Sequence, residues 1–168
     1  MRMTAFLARW RVPLGFACGV VAIVFARPSR ASLLAGAPIA LAGEALRIWA
    51  AGHLEKGREV TSSGPYRWTR HPLYIGSALL GAGLAVAANH VVVAAVAAAY
   101  VALALPAAAR AEERHLSARF GDAYERYRTG ASAEVSRRFS LARARRNREH
   151  RTLAGVALVL AYLAAIHT

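Results

Sequence analysis

Apolar residues along this chain gather into five long runs, and basic or polar segments separate them. The runs cover residues 12–26, 31–51, 73–88, 91–109 and 152–167. Such runs are typical of membrane spans, although Glu44 and Arg47 interrupt the second one. Some are shorter than the ~20 residues that a span prefers, so bilayer thinning or snorkelling must compensate. The pattern predicts an all-α, integral-membrane helical bundle with about five transmembrane helices.

The runs also divide the chain. We expect a single membrane domain over residues 1–168, with the first two spans in 1–51. A motif-bearing catalytic core with a helical hairpin follows in 52–128, and a basic segment with a fifth span in 129–168. The first run resembles a signal peptide, because basic residues precede it and small residues near its end offer a cleavage site. We expect it to be retained as a span.

Charge refines this picture. The chain is 57% hydrophobic and carries a formal net charge of +13, a combination typical of a membrane protein with basic loops. Nucleic-acid binding is the other common reason for such a charge, but the apolar runs leave no soluble core to carry a basic face. We therefore expect no nucleic-acid partner. A single cysteine, Cys18, excludes an internal disulfide.

The distribution of Lys and Arg predicts the orientation. If the N-terminus is cytoplasmic, every Lys and Arg except Arg27 and Arg30 lies on the cytoplasmic side. The positive-inside rule thus predicts a multi-pass protein with its N-terminus inside and its C-terminus outside. The strongly basic segment 137–151 is expected to lie on the inner leaflet and bind anionic lipid, with a specific partner site as the alternative.

The stretch from Gly64 to Gly76 concentrates polar and aromatic residues at a membrane edge. Gly64-Pro65 indicates a turn, and Pro72 suits the first turn of the following helix. His71 then lies at the helix entrance beside Arg70, where free N–H groups suit an anionic group such as a carboxylate. The alternative is an interfacial belt of aromatic and basic side chains.

A second cluster follows the fourth run, in a helix that Pro106 is expected to kink. Glu112, Leu116, Phe120 and Tyr124 recur every four residues, so they share one helix face. This face suits a ligand with an ammonium group and an aromatic ring. The alternative is an amphipathic surface helix. No Cys/His spacing indicates a metal site.

A third candidate lies within the second run. Glu44 and Arg47 are three residues apart, so they can share a face and pair. Ionisable residues within spans are functional candidates by default, and a structural pair remains the alternative.

Taken together, these motifs resemble a known family. Gly64-Pro65-Tyr66, Arg70-His71-Pro72-Leu73-Tyr74 and Glu112-Glu113-Arg114-His115-Leu116 are similar to the isoprenylcysteine carboxyl methyltransferase and phospholipid methyltransferase superfamily. Upstream, the stretch from Leu46 to Leu54 is similar to its bacterial branch. The resemblance covers roughly residues 40–128 and implies a location in the bacterial inner (cytoplasmic) membrane.

The resemblance implies an integral-membrane methyltransferase that uses S-adenosylmethionine and releases S-adenosylhomocysteine. The pocket would lie at the cytoplasmic end of the third and fourth helices. The cofactor-binding residues it implies, together with those on the face described above, are Tyr66, Arg70, His71, Pro72, Tyr74, Glu112, Glu113, Leu116, Phe120 and Tyr124.

The methyl acceptor is open at this point. Sulfonium is a good leaving group, so holding the acceptor in line supplies most of the rate. Arg47 or Arg70 would orient a carboxylate, whereas an amine needs a base such as Glu113 or Glu44. A thiol needs thiolate character. We expect a lipophilic or small acceptor at the cytoplasmic face.

Two other classes of function are weighed against this one. A non-catalytic membrane binding or scaffold protein would need only the aromatic belts and the basic tail. A related membrane reductase would need a nicotinamide site, and no dinucleotide fingerprint is visible. The tail after residue 129 extends beyond the family core, and it could close the site, anchor the chain or form a homo-oligomer.

Overall fold

Every secondary-structure element in the described part of this chain is helical. The computed structural model describes residues 2–131 and 136–167, and the side chains of residues 2–12 and 16 lie outside that description. The charges of Arg2, Arg9 and Arg11, used above for orientation, therefore lie outside it as well. The helices are α1 (Arg2–Phe25), α2 (Arg30–His53), α3 (Pro72–Ala88), α4 (Val91–Ala99), α5 (Leu105–Phe120), α6 (Asp122–Arg128), α7 (Leu141–Arg146) and α8 (Glu149–Ile166).

Three helical stretches of the described chain are long and apolar enough to cross a membrane. They are Arg30–His53, Val91–Phe120 and Glu149–Ile166. Two shorter apolar helices, Pro13–Phe25 and Pro72–Ala88, account for the other predicted runs. The all-α membrane bundle is confirmed. The count of five spans stays a prediction, because two of the five helices are short for a bilayer.

Helices α2 and α3 pack closely through glycines spaced seven residues apart. A Cβ added to Gly43 would lie 2.6 Å from the carbonyl oxygen of Gly76, and one added to Gly83 would lie 2.7 Å from that of Gly36. Real side chains do not tolerate such distances, so the two backbones touch directly. This is the small-residue packing on which membrane helices depend, since lipid provides no hydrophobic drive.

The helix after residue 91 changes its winding in the middle. A π-helical turn covers Tyr100–Ala104 and joins α4 to α5. It ends just before Pro106, which has no N–H to donate and crowds the carbonyl four residues earlier. The expected distortion at Pro106 thus takes the form of a π-turn, a common way to absorb a proline.

One end of the bundle is closed by two short connections, and we call it the turn end. The N–H of Arg27 donates to the carbonyl of Ala88 at 2.8 Å. Asn89 adopts a left-handed conformation with φ 51° and donates from its amide to the carbonyl of Arg27 at 3.1 Å. Ala22, Ala88 and Val93 form a small buried cluster beside them.

The opposite end, which we call the motif end, carries the long polar segments. Here the C-terminal segment, residues 136–148, docks on the end of α2. Phe139 packs directly against Gly52, and the N–H of Ser140 donates to the Gly52 carbonyl at 3.1 Å. The Asn147 amide donates to the carbonyls of Ala51 and Leu54, both at 2.9 Å. These contacts fix where α8 begins.

Candidate functional site

The first motif is built on a short 3₁₀ turn, Gly64–Arg67, that follows α2 and a loop. Gly64 has φ 59°, and a Cβ there would lie 2.5 Å from the ring of His53, so only glycine fits. The buried His53 ring is 3.1 Å from the Ser63 hydroxyl. From the other side, the Tyr127 hydroxyl donates to the Tyr66 carbonyl at 2.8 Å. The turn is therefore held by α2 and α6 together.

His71 lies at the entrance of α3, as the sequence predicts. It is the N-cap residue with φ −129°, and the buried Pro72 occupies the first helical position. The His71 N–H donates to the Thr69 hydroxyl at 3.3 Å, which closes the loop before the helix. Proline favours the first helical position because its ring fixes the backbone angle φ near the helical value.

Glu113 joins the two motifs. Its Oε1 atom accepts from His71 Nε2 at 2.9 Å and pairs with the Arg70 guanidinium at 3.1 Å. The Glu113 side chain is 31% exposed, so this cluster is half-buried rather than sealed. The contact spans one helical hairpin, and it brings the start of α3 against α5.

A cavity of about 630 Å³ lies at the motif end, beside this junction. Aromatic, apolar and charged side chains all contribute to its lining. The residues that line it are Arg47, Leu54, Glu55, Lys56, Gly57, Glu59, Val60, Thr61, Tyr66, Arg70, Leu73, Tyr74, Ser77, Tyr100, Leu105, Ala108, Ala111, Glu112, His115, Leu116, Arg119, Phe120, Tyr124 and Tyr127.

The structure brings most of the predicted site residues to this cavity. Those that line it are Arg47, Tyr66, Arg70, Tyr74, Glu112, Leu116, Phe120 and Tyr124. The other four, Glu44, His71, Pro72 and Glu113, do not line it. His71 and Glu113 support the wall from behind, Pro72 is buried at the helix start, and Glu44 lies behind Arg47. The roles given to these residues stay predictions.

Glu112 and Tyr66 each bring to the cavity a polar group without a described partner. Glu112 lines it, and no ion pair or hydrogen bond joins its carboxylate to a residue that the structure describes. The Tyr66 hydroxyl is buried without a hydrogen-bond partner, and the residue is only 7% exposed. Burial, with the nearby Glu112 carboxylate second, raises the pKa of Tyr66. Tyr66 therefore stays a neutral donor, and an unsatisfied buried donor is costly unless a ligand takes it.

Two further tyrosines of the site, Tyr124 and Tyr127, are also kept neutral. Burial raises the pKa of Tyr127 to about 12. It also raises the pKa of Tyr124, with the Glu113 carboxylate adding to the effect. Around neutral pH, these phenols are therefore available to pack against a ring or to donate.

Arg47 lies in the cavity wall at the centre of a polar network. Its guanidinium donates to the Ser77 hydroxyl in a short hydrogen bond and to Glu149 at 2.9 Å and 3.1 Å. It also lies 3.5 Å from a Glu44 oxygen and 3.4 Å from the Thr152 hydroxyl. The predicted Glu44–Arg47 pair is present, but the nearer carboxylate comes from α8.

Sequence reasoning missed the contribution of α8. Glu149 is the only acidic residue between residues 137 and 151, where eight residues are basic or potentially basic. A lone carboxylate inside a basic run was a signal that it pairs internally. Its partner could not be found from spacing, since Arg47 precedes it by 102 residues.

Part of the basic segment is also paired internally. Arg143 and Arg146 contact Glu55 at 2.7 Å and 3.1 Å, and Arg137 pairs with Glu59. The hydrogen bond from Arg143 lowers the pKa of the Glu55 carboxyl, and the hydrogen bond to Glu59 raises the pKa of Arg137. Because Glu55 and Glu59 line the cavity, the C-terminal segment holds one of its walls.

No metal site emerges from the described side chains. Within the described ranges, no group of three or more His, Cys, Asp or Glu residues could hold an ion. The lining of the cavity brings tyrosines, arginines and the Glu112 carboxylate together.

The comparisons with known proteins concern this same part of the chain. Residues 44–123 match the family model of phospholipid methyltransferases. A second match is to the cobalt-zinc-cadmium resistance protein CzcN of Cupriavidus metallidurans, 38% identical over 76 residues. It covers 44% of this chain and 35% of that relative, so it spans about a third of the relative's length.

No solved structure matches the chain. The matched residues begin at Glu44 and end just after α5, and they include both motifs and the hairpin between them. The predicted resemblance to this superfamily is thus confirmed over residues 44–123, which match the phospholipid methyltransferase model.

Proposed function

We propose that this protein is an integral-membrane methyltransferase that depends on S-adenosylmethionine. The observation that carries the proposal is the cavity, because residues of both motifs line it together. Its volume of about 630 Å³ falls within the 300–1,000 Å³ range typical of small-molecule and cofactor sites. Unpartnered polar groups among aromatic walls are what such a site requires.

The residues fit the two ends of the cofactor. The carboxylate of Glu112 suits the ammonium of the methionine moiety, and the remaining N–H groups of Arg70 suit its carboxylate. The Tyr66 hydroxyl offers one further hydrogen bond. The adenine ring is suited to the tyrosines and to Leu116. His71 and Glu113 act here as supports, because their contacts fix Arg70 rather than face the cavity.

The bound cofactor supplies an activated methyl group on a sulfonium, and the chain supplies orientation. Holding the acceptor in line with the carbon–sulfur bond is worth several kcal/mol of barrier without acid–base help. The helices α3 and α5 carry the walls, so the geometry is set by rigid elements. The cavity also keeps aromatic surface around the reacting atoms.

The contacts of Arg47 bear on the acceptor. Its guanidinium already faces Glu149 and Glu44, so it brings no uncompensated positive charge to the inner end of the cavity. Arg70 is likewise paired with Glu113. We therefore propose a lipophilic or small acceptor whose reacting group is an amine or a thiol rather than a carboxylate.

The cofactor site is tested by calorimetry with S-adenosylhomocysteine and purified protein in detergent. We expect Glu112→Gln and His71→Ala to weaken binding at least about 10-fold, since one charged hydrogen bond is worth about 1.5–3 kcal/mol. Glu125→Gln is the matched control, because the described partner of Glu125 is Arg128 of its own helix. Unchanged affinity in Glu112→Gln, with the protein folded, would contradict the assignment.

Two further measurements separate the competing functions. Stabilisation by S-adenosylhomocysteine but not by NADPH, in a thermal-shift assay, supports the methyltransferase over a reductase. Stabilisation by neither supports a binding protein. Methyl-labelled S-adenosylmethionine, supplied with a total bacterial lipid extract, then shows which lipid fraction receives the label.

We also propose that the motif end faces the cytoplasm in the bacterial inner membrane, since the basic residues concentrate there. With Cys18→Ser as background, Arg58→Cys and His90→Cys place one thiol at each end. A membrane-impermeant maleimide added to spheroplasts should label His90→Cys alone. Labelling of Arg58→Cys alone would reverse the orientation.

A further inference from the structure

We propose that Glu149, outside the family segment, is a positioning residue of the active site and that it acts through Arg47. The inference rests on the proposed function, and it deepens it by adding α8 to the catalytic unit. It assigns the C-terminal helix a role in catalysis, beyond that of an anchor.

The first support is the contact itself. One terminal nitrogen of Arg47 donates to both oxygens of Glu149, at 3.1 Å and 2.9 Å. Thr152, one helical turn further along α8, contacts the same nitrogen at 3.4 Å. Charge-assisted hydrogen bonds of this kind are roughly twice as strong as neutral ones and fix the direction of a guanidinium.

Burial gives the contact its importance. Glu149 is only 6% exposed and Glu44 only 1% exposed, so water does not screen the network. Removing one partner of a buried charged pair leaves the other uncompensated, which is strongly unfavourable. Arg47 would then move to find a new partner, and the cavity wall would move with it.

The second support is the placement of Arg47. It lines the cavity together with Ser77, to which it also donates, whereas Glu149 does not line it. The stem of Arg47 packs over Gly76, where a Cβ would lie 2.6 Å from its Cγ. Glu149 therefore acts on the cavity through Arg47, which is what defines a positioning residue.

The third support is the backbone at the start of α8. Arg148 adopts a left-handed conformation with φ 67°, although it is not glycine. Such a conformation is uncommon in an L-residue, and the surrounding contacts must hold it. The Asn147 amide does so from the preceding residue, so that α8 begins with Glu149 directed at Arg47.

The test compares Glu149→Gln with the wild type in methyl transfer to a titrated bacterial lipid extract. Gln keeps the shape and loses the charge. We expect kcat/KM for the acceptor to fall about 10-fold, the scale seen when supporting contacts are removed. S-adenosylhomocysteine affinity should stay within about twofold, since Glu112 and Arg70 are untouched. Glu125→Gln is the control and should match the wild type in both.

A double-mutant cycle adds a readout that a merely structural role would not move. If Glu149 acts through Arg47, the double variant Arg47→Ala, Glu149→Gln transfers methyl groups no more slowly than Arg47→Ala alone. Additive losses would overturn the inference.

Other outcomes are equally decisive. Wild-type kcat/KM in a folded Glu149→Gln variant would overturn the inference while leaving the proposed function intact. Failure of the wild type to bind S-adenosylhomocysteine would overturn the proposed function instead. Should Glu149→Gln fail to fold, Glu149→Asp carries the test, because it keeps the charge and shortens the reach. Reduced kcat/KM at unchanged affinity supports the inference, and wild-type kcat/KM contradicts it.

Discussion

The two ends of this bundle are built on different physical principles. At the turn end, backbone groups of the short connections bond to one another, as Arg27 does to Ala88, and small residues fill the space. At the motif end, long side chains reach between distant segments, as Glu113 does to Arg70 and His71. The first arrangement depends on backbone hydrogen bonds and small side chains. The second encloses a cavity whose walls depend on which charges pair.

Because the two ends differ in this way, sequence changes at the turn end should affect folding, whereas changes at the motif end should affect chemistry. Both ends share the α2–α3 interface, which joins them mechanically. Changes to that interface should disturb both ends, whereas changes at one end should remain local. Each of the predictions below tests that separation.

The largest effect is expected from Gly43→Leu. A Cβ at this position would lie 2.5 Å from the backbone nitrogen of Leu80, so the helices must separate. Overpacking of this kind costs about 3 kcal/mol or more when backbone is the obstacle. Thermal unfolding in detergent should show the loss, together with loss of S-adenosylhomocysteine binding.

Gly155→Leu on α8 is the matched control for that change. A Cβ at Gly155 meets nothing within 4 Å. The stability of the Gly155→Leu variant should therefore equal that of the wild type or exceed it slightly. Equal losses in the two variants would show that the close α2–α3 contact is not what makes Gly43 necessary.

A smaller, confined effect is expected from Asn89→Val at the turn end. A β-branched residue in the left-handed conformation costs about 1–2 kcal/mol, and the amide bond to Arg27 is lost as well. Thermal unfolding should shift downward while S-adenosylhomocysteine affinity stays the same. Asn89→Gly separates the two causes, because it removes the bond and not the backbone fit. A large fall in S-adenosylhomocysteine affinity in either variant would show that changes at the turn end do not remain local.

A local, pH-dependent effect is expected at the motif end. The Arg143 hydrogen bond lowers the pKa of Glu55 in the folded protein, so its contribution to stability is present above the unfolded pKa. This stabilising contribution is lost as the pH falls through the lower pKa that Glu55 has in the folded protein. Hydrogen exchange in residues 136–147, corrected for intrinsic rate, should therefore quicken in the wild type below about pH 4.

The variant Glu55→Gln isolates that titration. Its exchange in the same residues should be fast already at neutral pH, with no further acid step. Glu125→Gln should behave as the wild type does, because Glu125 touches only its own helix. An acid step that persists in Glu55→Gln would assign the effect to another carboxylate.

The smallest effect concerns lipid. Arg138, Arg145, Arg148 and Arg151 are exposed, whereas Arg137 and Arg143 are engaged with Glu59 and Glu55. We propose that these four exposed residues bind anionic lipid. Adding phosphatidylglycerol near its dissociation constant should raise the unfolding temperature by about 1 °C, and replacing all four by Gln should remove the rise. Replacing the exposed Arg67, Arg110, Arg114 and Arg126 by Gln provides a charge-matched control.

Much of the architecture could be predicted from sequence, because it depends on local partition between water and lipid. The second, third and fifth apolar runs correspond to helices within a few residues, and Pro72 starts α3 as expected. By contrast, α1 begins ten residues before the first run, and α5 ends eleven residues beyond the fourth. The two motifs were correctly placed at one end of the bundle. The distortion before Pro106 was foreseen, although its form as a π-turn was not.

The details of the site were harder to predict, because they depend on rotation and distant pairing. Glu112 and Glu113 are neighbours with the same chemistry, yet one lines the cavity and the other holds Arg70 and His71. A helix turns about 100° per residue, so adjacent residues face different partners. Helix periodicity predicts the angle between neighbouring side chains, but only the packing of the helix decides which of them faces the cavity.

From the sequence alone we could predict a helical membrane bundle, two motifs that resemble those of a methyltransferase superfamily, and an excess of positive charge at one end. These follow from composition and spacing, which act over a few residues. The tertiary structure decided which carboxylate faces the cavity and that Glu149 holds Arg47 from 102 residues away. Such pairings are set by how the helices pack, since a buried charge takes whichever partner the fold brings within reach.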